Sequence, residues 1–157
     1  MGTRSRIGVM HGNIVKSVYC HWDGYLAHNG ALLQEHYNSA KANELVSLGD
    51  LSSLRPTIGV EHAFSPFDTE MSQENYEKLY GEMCTFYGRD RGEKDTAWKV
   101  AQTFAEFIEQ VDFCGAEYYY IMRDGVWYCG DTYSNNTLSL KLVPLYEALE
   151  ADEKVAA

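Results

Sequence analysis

At 157 residues the chain falls in the range of a single domain, and its 45% hydrophobic and 13% aromatic content is enough to bury a core without metal or disulfide staples. Thirteen Lys and Arg against twenty-three Asp and Glu leave a formal net charge of −10, which repels a polyanion at long range and argues against binding a nucleic-acid duplex. No stretch approaches the roughly 18 apolar residues of a membrane span and no leader pattern stands near Met1, so no membrane partner and a cytoplasmic location are expected.

In chain order, Thr3 to Met10 and Ile14 to Trp22 favour strands, with His11-Gly12-Asn13 able to turn between them. In the second arm Val15, Ser17, Tyr19 and His21 point one way and Lys16, Val18, Cys20 and Trp22 the other. Ala31 to Leu48 has mostly helical spacing, open to interruption at Asn38-Ser39, with Asn29 as a candidate cap and Gly49 as a stop. Leu51 to Thr69, with Pro56, Gly59 and Pro66, reads as a long irregular connection able to act as a flap.

Gln73 to Met83 predicts a short helix, Cys84 to Tyr87 a strand, and Gly88 to Lys94 a charged loop bounded by glycines. Thr96 to Val111 places Ala97, Val100, Ala101, Phe104, Phe107, Ile108 and Val111 on one helical face. Glu117 to Met122 and Val126 to Cys129 flank Asp124-Gly125, the signature of a tight hairpin. Pro144 suits the first turn of a last helix through Leu149, and 150–157 reads as a frayed acidic tail. The expected fold class is α+β: antiparallel hairpins forming one sheet against three to four helices, in a single domain over 1–149. Two hairpins, each with a helix, leave room for a cryptic duplication.

Two constellations carry chemistry. The first is Tyr19-Cys20-His21-Trp22-Asp23-Gly24-Tyr25 with His28 close behind. There Tyr19, Trp22 and Tyr25 offer platforms for a base, and His21, His28 and Asp23 offer polar recognition. Read plainly, the same residues are a strand end whose aromatics fill the core. A cysteine nucleophile is disfavoured because Cys20 and His21 face opposite sides, so a partner would have to be His28 or His62. Zinc on Cys20, His21, His28 and His36 lacks any paired spacing, and no metal or other cofactor is expected. The four cysteines, Cys20, Cys84, Cys114 and Cys129, read as reduced, buried thiols.

The second constellation is Arg89-Asp90-Arg91-Gly92-Glu93, where Arg89 and Arg91 could clamp phosphate or simply pair with their acidic neighbours. Arg4 and Arg6 pose the same question, on a strand where they would share one polar face. No phosphate loop, dinucleotide fingerprint or nucleophile elbow is present, so no catalytic residue is assigned.

On the runs Thr3-Arg4-Ser5-Arg6-Ile7, Tyr19 to Tyr25, Leu48-Gly49-Asp50-Leu51-Ser52-Ser53-Leu54 and Thr85-Phe86-Tyr87-Gly88-Arg89-Asp90-Arg91-Gly92-Glu93, the chain resembles a family of small uncharacterised bacteriophage proteins. The resemblance implies a setting, the cytoplasm of an infected bacterial host, rather than a chemistry. By analogy with small acidic phage proteins that act on the host, the expectation is a non-enzymatic protein that sequesters a nucleotide-type immune messenger, a small anionic ligand. Tyr19, Trp22 and Tyr25 would stack a base, His21, His28 and Asp23 would read polar edges, and Arg89 and Arg91 would hold phosphate. The alternatives are a phosphodiesterase or other hydrolase using His21 or His28, and an acidic inhibitor of a host protein. Homo-oligomerisation is left open.

Overall fold

Alternation of apolar and polar side chains builds the first hairpin, β1 (Ser5–His11) against β2 (Ile14–Cys20), in a register that sets Arg6 opposite Tyr19 and Ser5 opposite Cys20. The computed structural model describes residues 2–132 and 142–156. Among them β3 (Leu51–Ser53) follows β2 in parallel, and β4 (Thr85–Phe86) closes that side of the sheet. β5 (Lys99–Ala101) pairs with β2 at Val15 to Ser17. The second hairpin, β6 (Tyr118–Arg123) and β7 (Val126–Asp131), turns on Asp124 and Gly125, both at positive φ as a two-residue hairpin loop requires.

β6 lies parallel to β1, so the two hairpins stand side by side at the centre of the sheet, and β8 (Val143–Pro144) completes the far edge. The order is β4-β3-β2-β1-β6-β7-β8, with β5 also on β2. The expected α+β class holds: one mostly antiparallel eight-stranded sheet, with five α-helices among the described residues.

Both faces of the sheet are covered. Ile7, Val9, Val18, Cys20, Tyr120 and Trp127 pack with residues of α1 (Ala31–His36), α2 (Ser39–Ser47) and α5 (Leu145–Ala156). Met10, Val15, Ala101 and Ile121 pack under Phe107, Ile108 and Val111 of α4 (Phe104–Phe113).

Four expectations are corrected. The helix expected from Thr96 begins at Phe104, because Thr103 accepts the Glu106 amide N–H as a cap and the residues before it join the sheet as β5. Asn29 does not cap a helix; its side chain is fully buried, and a π-helical turn over Leu26–Gly30 leads into α1. The connection after Gly49 opens with strand β3. The C-terminal helix continues to Ala156 instead of ending at Leu149, while Ala157 lies outside the described residues. The short helix α3 (Gln73–Tyr80) starts at Gln73 as expected, with Ser72 accepting the Asn75 amide N–H as its cap, and ends at Tyr80 rather than Met83.

Candidate functional site

The end of β2 is held unusually firmly. Past Cys20 the chain continues along β3, with the His21 amide donating to Leu51 O at 3.1 Å and the Trp22 amide to Ser52 O at 3.0 Å. Asp23 then takes φ 55°, a left-handed conformation that Asp tolerates better than most side chains. Gly24 follows where a Cβ would fall 2.7 Å from Ser5 Cβ and 2.9 Å from Thr3 O, so only glycine fits. Two buried groups fix this turn from beneath. Tyr120 donates its hydroxyl to Gly24 O at 2.6 Å, and Asn29 Nδ2 reaches Ser5 Oγ, Cys20 Sγ and Trp22 O at 3.3, 3.4 and 3.3 Å.

Trp22 and Asp23 form one wall of a cleft of about 300 Å³. Phe64 and Pro66 from the connection after β3 also line it, and α3 contributes Tyr76 and Tyr80. Ser52, Ser53 and Thr85 line it with hydroxyls, Glu77 adds a second carboxylate, and Arg55 supplies its cationic group. The Arg55 Nη1 donates to Leu54 O at 3.0 Å, and no carboxylate pairs with this guanidinium among the described residues. Trp22 is 43% exposed, a large apolar ring open at the rim. The segment from Arg55 to Pro66 is a strap rather than a free flap: Tyr76 donates to Ala63 O at 2.7 Å and Phe64 O at 3.0 Å.

The arginine loop serves that strap. Arg89 Nε meets Asp90 Oδ1 at 3.0 Å, Nη1 donates to Ile58 O and Gly59 O at 3.1 and 3.2 Å, and Nη2 to Cys84 O at 3.0 Å. Engaged by the Asp90 carboxylate and three backbone carbonyls, Arg89 positions the strap and does not line the cleft, so this geometry lends its expected phosphate-holding role no support. Arg91 pairs with Glu93 at 3.5 Å and lies 4.9 Å from the centre of the Phe64 ring, so it touches the cleft through Phe64. His62, fully buried, stacks on Tyr80 with centroids 4.8 Å apart and faces Ala63 O and Cys84 O.

The other residues of the first constellation do not line the cleft. Tyr19 and His21 are joined by a 2.6 Å contact between Tyr19 Oη and His21 Nδ1; past the end of β2 at Cys20 the alternation is lost, and the His21 ring meets the Trp22 ring edge-on with centroids 4.6 Å apart. Tyr25 and His28 form their own tilted pair at 6.0 Å, with His28 Nδ1 beside Asn29 Oδ1 at 2.9 Å, and neither lines the cleft. Burial pushes the Cys20 thiol up to about 12, which leaves it protonated and inert at neutral pH. No group of three or more His, Cys, Asp or Glu side chains suited to a metal ion occurs among the described residues.

Sequence reasoning missed Arg55, Tyr76 and Tyr80. The two tyrosines had a signal, an i, i+4 aromatic pair on an expected helix. Arg55 had none, being a single cation before Pro56 in a segment without regular pattern. No family model, curated protein or solved structure matches the chain.

Proposed function

We propose that this chain is a non-enzymatic binding protein for a small anionic ligand of nucleotide type, held in the cleft between Trp22 and the strap. The observation that carries the reading is Arg55, a guanidinium with no carboxylate partner among the described residues, set in a cleft walled by Trp22, Phe64, Tyr76 and Tyr80. Aromatic faces accept a base by stacking, and a guanidinium fork accepts phosphate oxygens. Asp23 supplies an acceptor for an amino or hydroxyl hydrogen. Holding is favoured over cleaving because neither histidine nor cysteine lines the cleft. In the setting that the sequence resemblance suggests, the ligand is an immune messenger and its sequestration the function.

Incubation with a panel of cyclic dinucleotides and ADP-ribose derivatives tests this. One class should raise the melting temperature of the full chain, be recovered intact after denaturation, and lose its effect in Trp22→Ala and Arg55→Ala. No shift with any of them at ligand excess overturns the reading, and recovery of a cleaved ligand replaces it with a hydrolase. Capture of one host protein without any small-molecule shift replaces it with an inhibitor.

A further inference from the structure

Beside the cleft, across the first hairpin, lies a second polar group. Arg4 and Arg6 alternate with Ser5 along the N-terminal arm; the antiparallel register sets Arg6 across from Tyr19, and Arg4, just before β1, acts electrostatically on both Tyr19 and His21. Arg6 is only 2% exposed; its Nε donates to Ser17 Oγ at 2.7 Å, its Nη2 to Ser17 O at 3.2 Å, and its Nη1 lies 3.9 Å from Cys114 Sγ. Arg4 lies across the end of α4, with Nη1 2.9 Å from where a Cβ on Gly115 would stand.

No carboxylate forms an ion pair with either guanidinium among the described residues. Asp50 interacts with Arg6 at longer range, but its Oδ1 accepts the Tyr19 amide N–H at 2.9 Å. Glu117 gives its amide N–H to Arg4 O at 2.9 Å and no ion pair. Arg89 and Arg91 pair with carboxylates while Arg4 and Arg6, like Arg55, do not, in a chain whose net charge is −10. A buried cation without a counter-charge is costly, and an anion offsets that cost.

The adjoining imidazole is set up to donate. Burial, and then Arg4, lower the His21 pKa, while burial pushes the Tyr19 hydroxyl up to about 12. A neutral imidazole that accepts the Tyr19 O–H at Nδ1 carries its proton on Nε2, and that N–H is a donor. Arg4 and His21 then present N–H groups from neighbouring strands, with Arg6 as a fixed positive charge beside them.

We propose that this face binds a phosphoryl oxyanion, as inorganic phosphate or a phosphate monoester, between Arg4 and His21. None of these residues lines the cleft, but the His21 ring meets the cleft residue Trp22 at 4.6 Å, so the Arg55→Ala control is what separates this site from the cleft. The test is titration of the isotope-labelled full chain with inorganic phosphate and, separately, phenyl phosphate, reading the His21 ring resonances by NMR. A saturable shift is expected with at least one of them. Arg4→Gln should weaken that binding by about tenfold or more, while Arg55→Ala leaves it unchanged.

Response to phosphate alone assigns the free ion as ligand, and response to both admits a monoester. Circular dichroism checks that Arg4→Gln is folded. If it is not, Arg4→Lys, which keeps the charge and loses the planar fork, should still bind more weakly. No saturable shift in the wild type, or undiminished binding in the folded Arg4 variant, overturns the proposal.

Discussion

The Asp90 carboxylate accepts the His62 amide N–H on Oδ1 at 3.1 Å, a bond across 28 residues of chain that joins the strap to the charged loop alongside the Arg89 bonds to Ile58 O and Gly59 O. The same carboxylate takes the Phe86 amide on Oδ2 at 2.7 Å and the Arg89 guanidinium at 3.0 Å, so a fully buried anion organises three segments. Removing it leaves Arg89 unpaired and two amides without an acceptor. Asp90→Ala should therefore cost about 3 kcal/mol or more in urea unfolding, as broken buried pairs do. Because Phe64 and Pro66 follow on the same strap, binding in the cleft should weaken with it. An Asp90→Ala protein as stable as the wild type would show that the strap is held by other means.

Asp23 separates the conformational role of the turn from recognition. Its backbone sits at φ 55°, where glycine is more comfortable than any L side chain. Asp23→Gly should leave the melting temperature unchanged or slightly raised, whereas Asp23→Val should lower it by about 1 kcal/mol or more in equivalent stability. If the carboxylate reads the ligand, Asp23→Gly binds more weakly despite an intact fold. Equal binding by the glycine variant would confine Asp23 to a structural role.

Much of the fold was legible because its signals are local. The hairpin at Asp124-Gly125, the alternation along β2 and the start of α3 at Gln73 each depend on residues within a turn of one another. The apolar stripe from Ala97 to Val111 misled, since period alone does not show where a helix begins. The Thr103 to Glu106 spacing did: Thr103 caps the Glu106 amide while Glu106 Oε2 accepts the Gln102 amide N–H at 3.1 Å, and the strand before it needed β2 as a partner.

At the site, the expected alternation did not extend to Trp22: β2 ends at Cys20, and the His21 and Trp22 rings meet with centroids 4.6 Å apart. The use of Arg89 was not readable, because the carbonyls that occupy it belong to Ile58 and Gly59, about thirty residues away.

The buried acids predict an alkaline limit to stability. Burial pushes the Cys20 and Cys129 thiols from 9.0 up to about 12, and the Tyr19 hydroxyl from 10.0 to about 12. Below pH 9 these groups are protonated in both folded and unfolded chains and contribute no pH dependence. Above it the unfolded chain loses protons that the folded chain retains, so stability falls with rising pH between about 9 and 12. Urea midpoints measured from pH 8 to 11 should decline, and Cys20→Ser should make the decline shallower. In the native protein at pH 8, Cys20 should resist alkylation that the half-buried Cys114 undergoes. A flat profile would mean that the thiols ionise as readily inside the fold as outside it.

Tyr120 offers the sharpest link between core and cleft. Its ring is wholly buried, and its hydroxyl donates to Gly24 O at 2.6 Å across 96 residues of sequence, next to the Asp23 turn that forms the cleft wall. Tyr120→Phe keeps the ring and its packing and deletes only the donor. The Gly24 carbonyl then loses this buried partner, which should cost about 1 to 2 kcal/mol. The loss should also loosen the turn, so amide exchange at Gly24 and Tyr25 is expected to speed up more than exchange in β6. Cleft binding should weaken in parallel, because Trp22 and Asp23 would no longer be held in one orientation before the ligand arrives. Exchange unchanged at the turn, with stability lost uniformly, would place the role of the hydroxyl in the core alone.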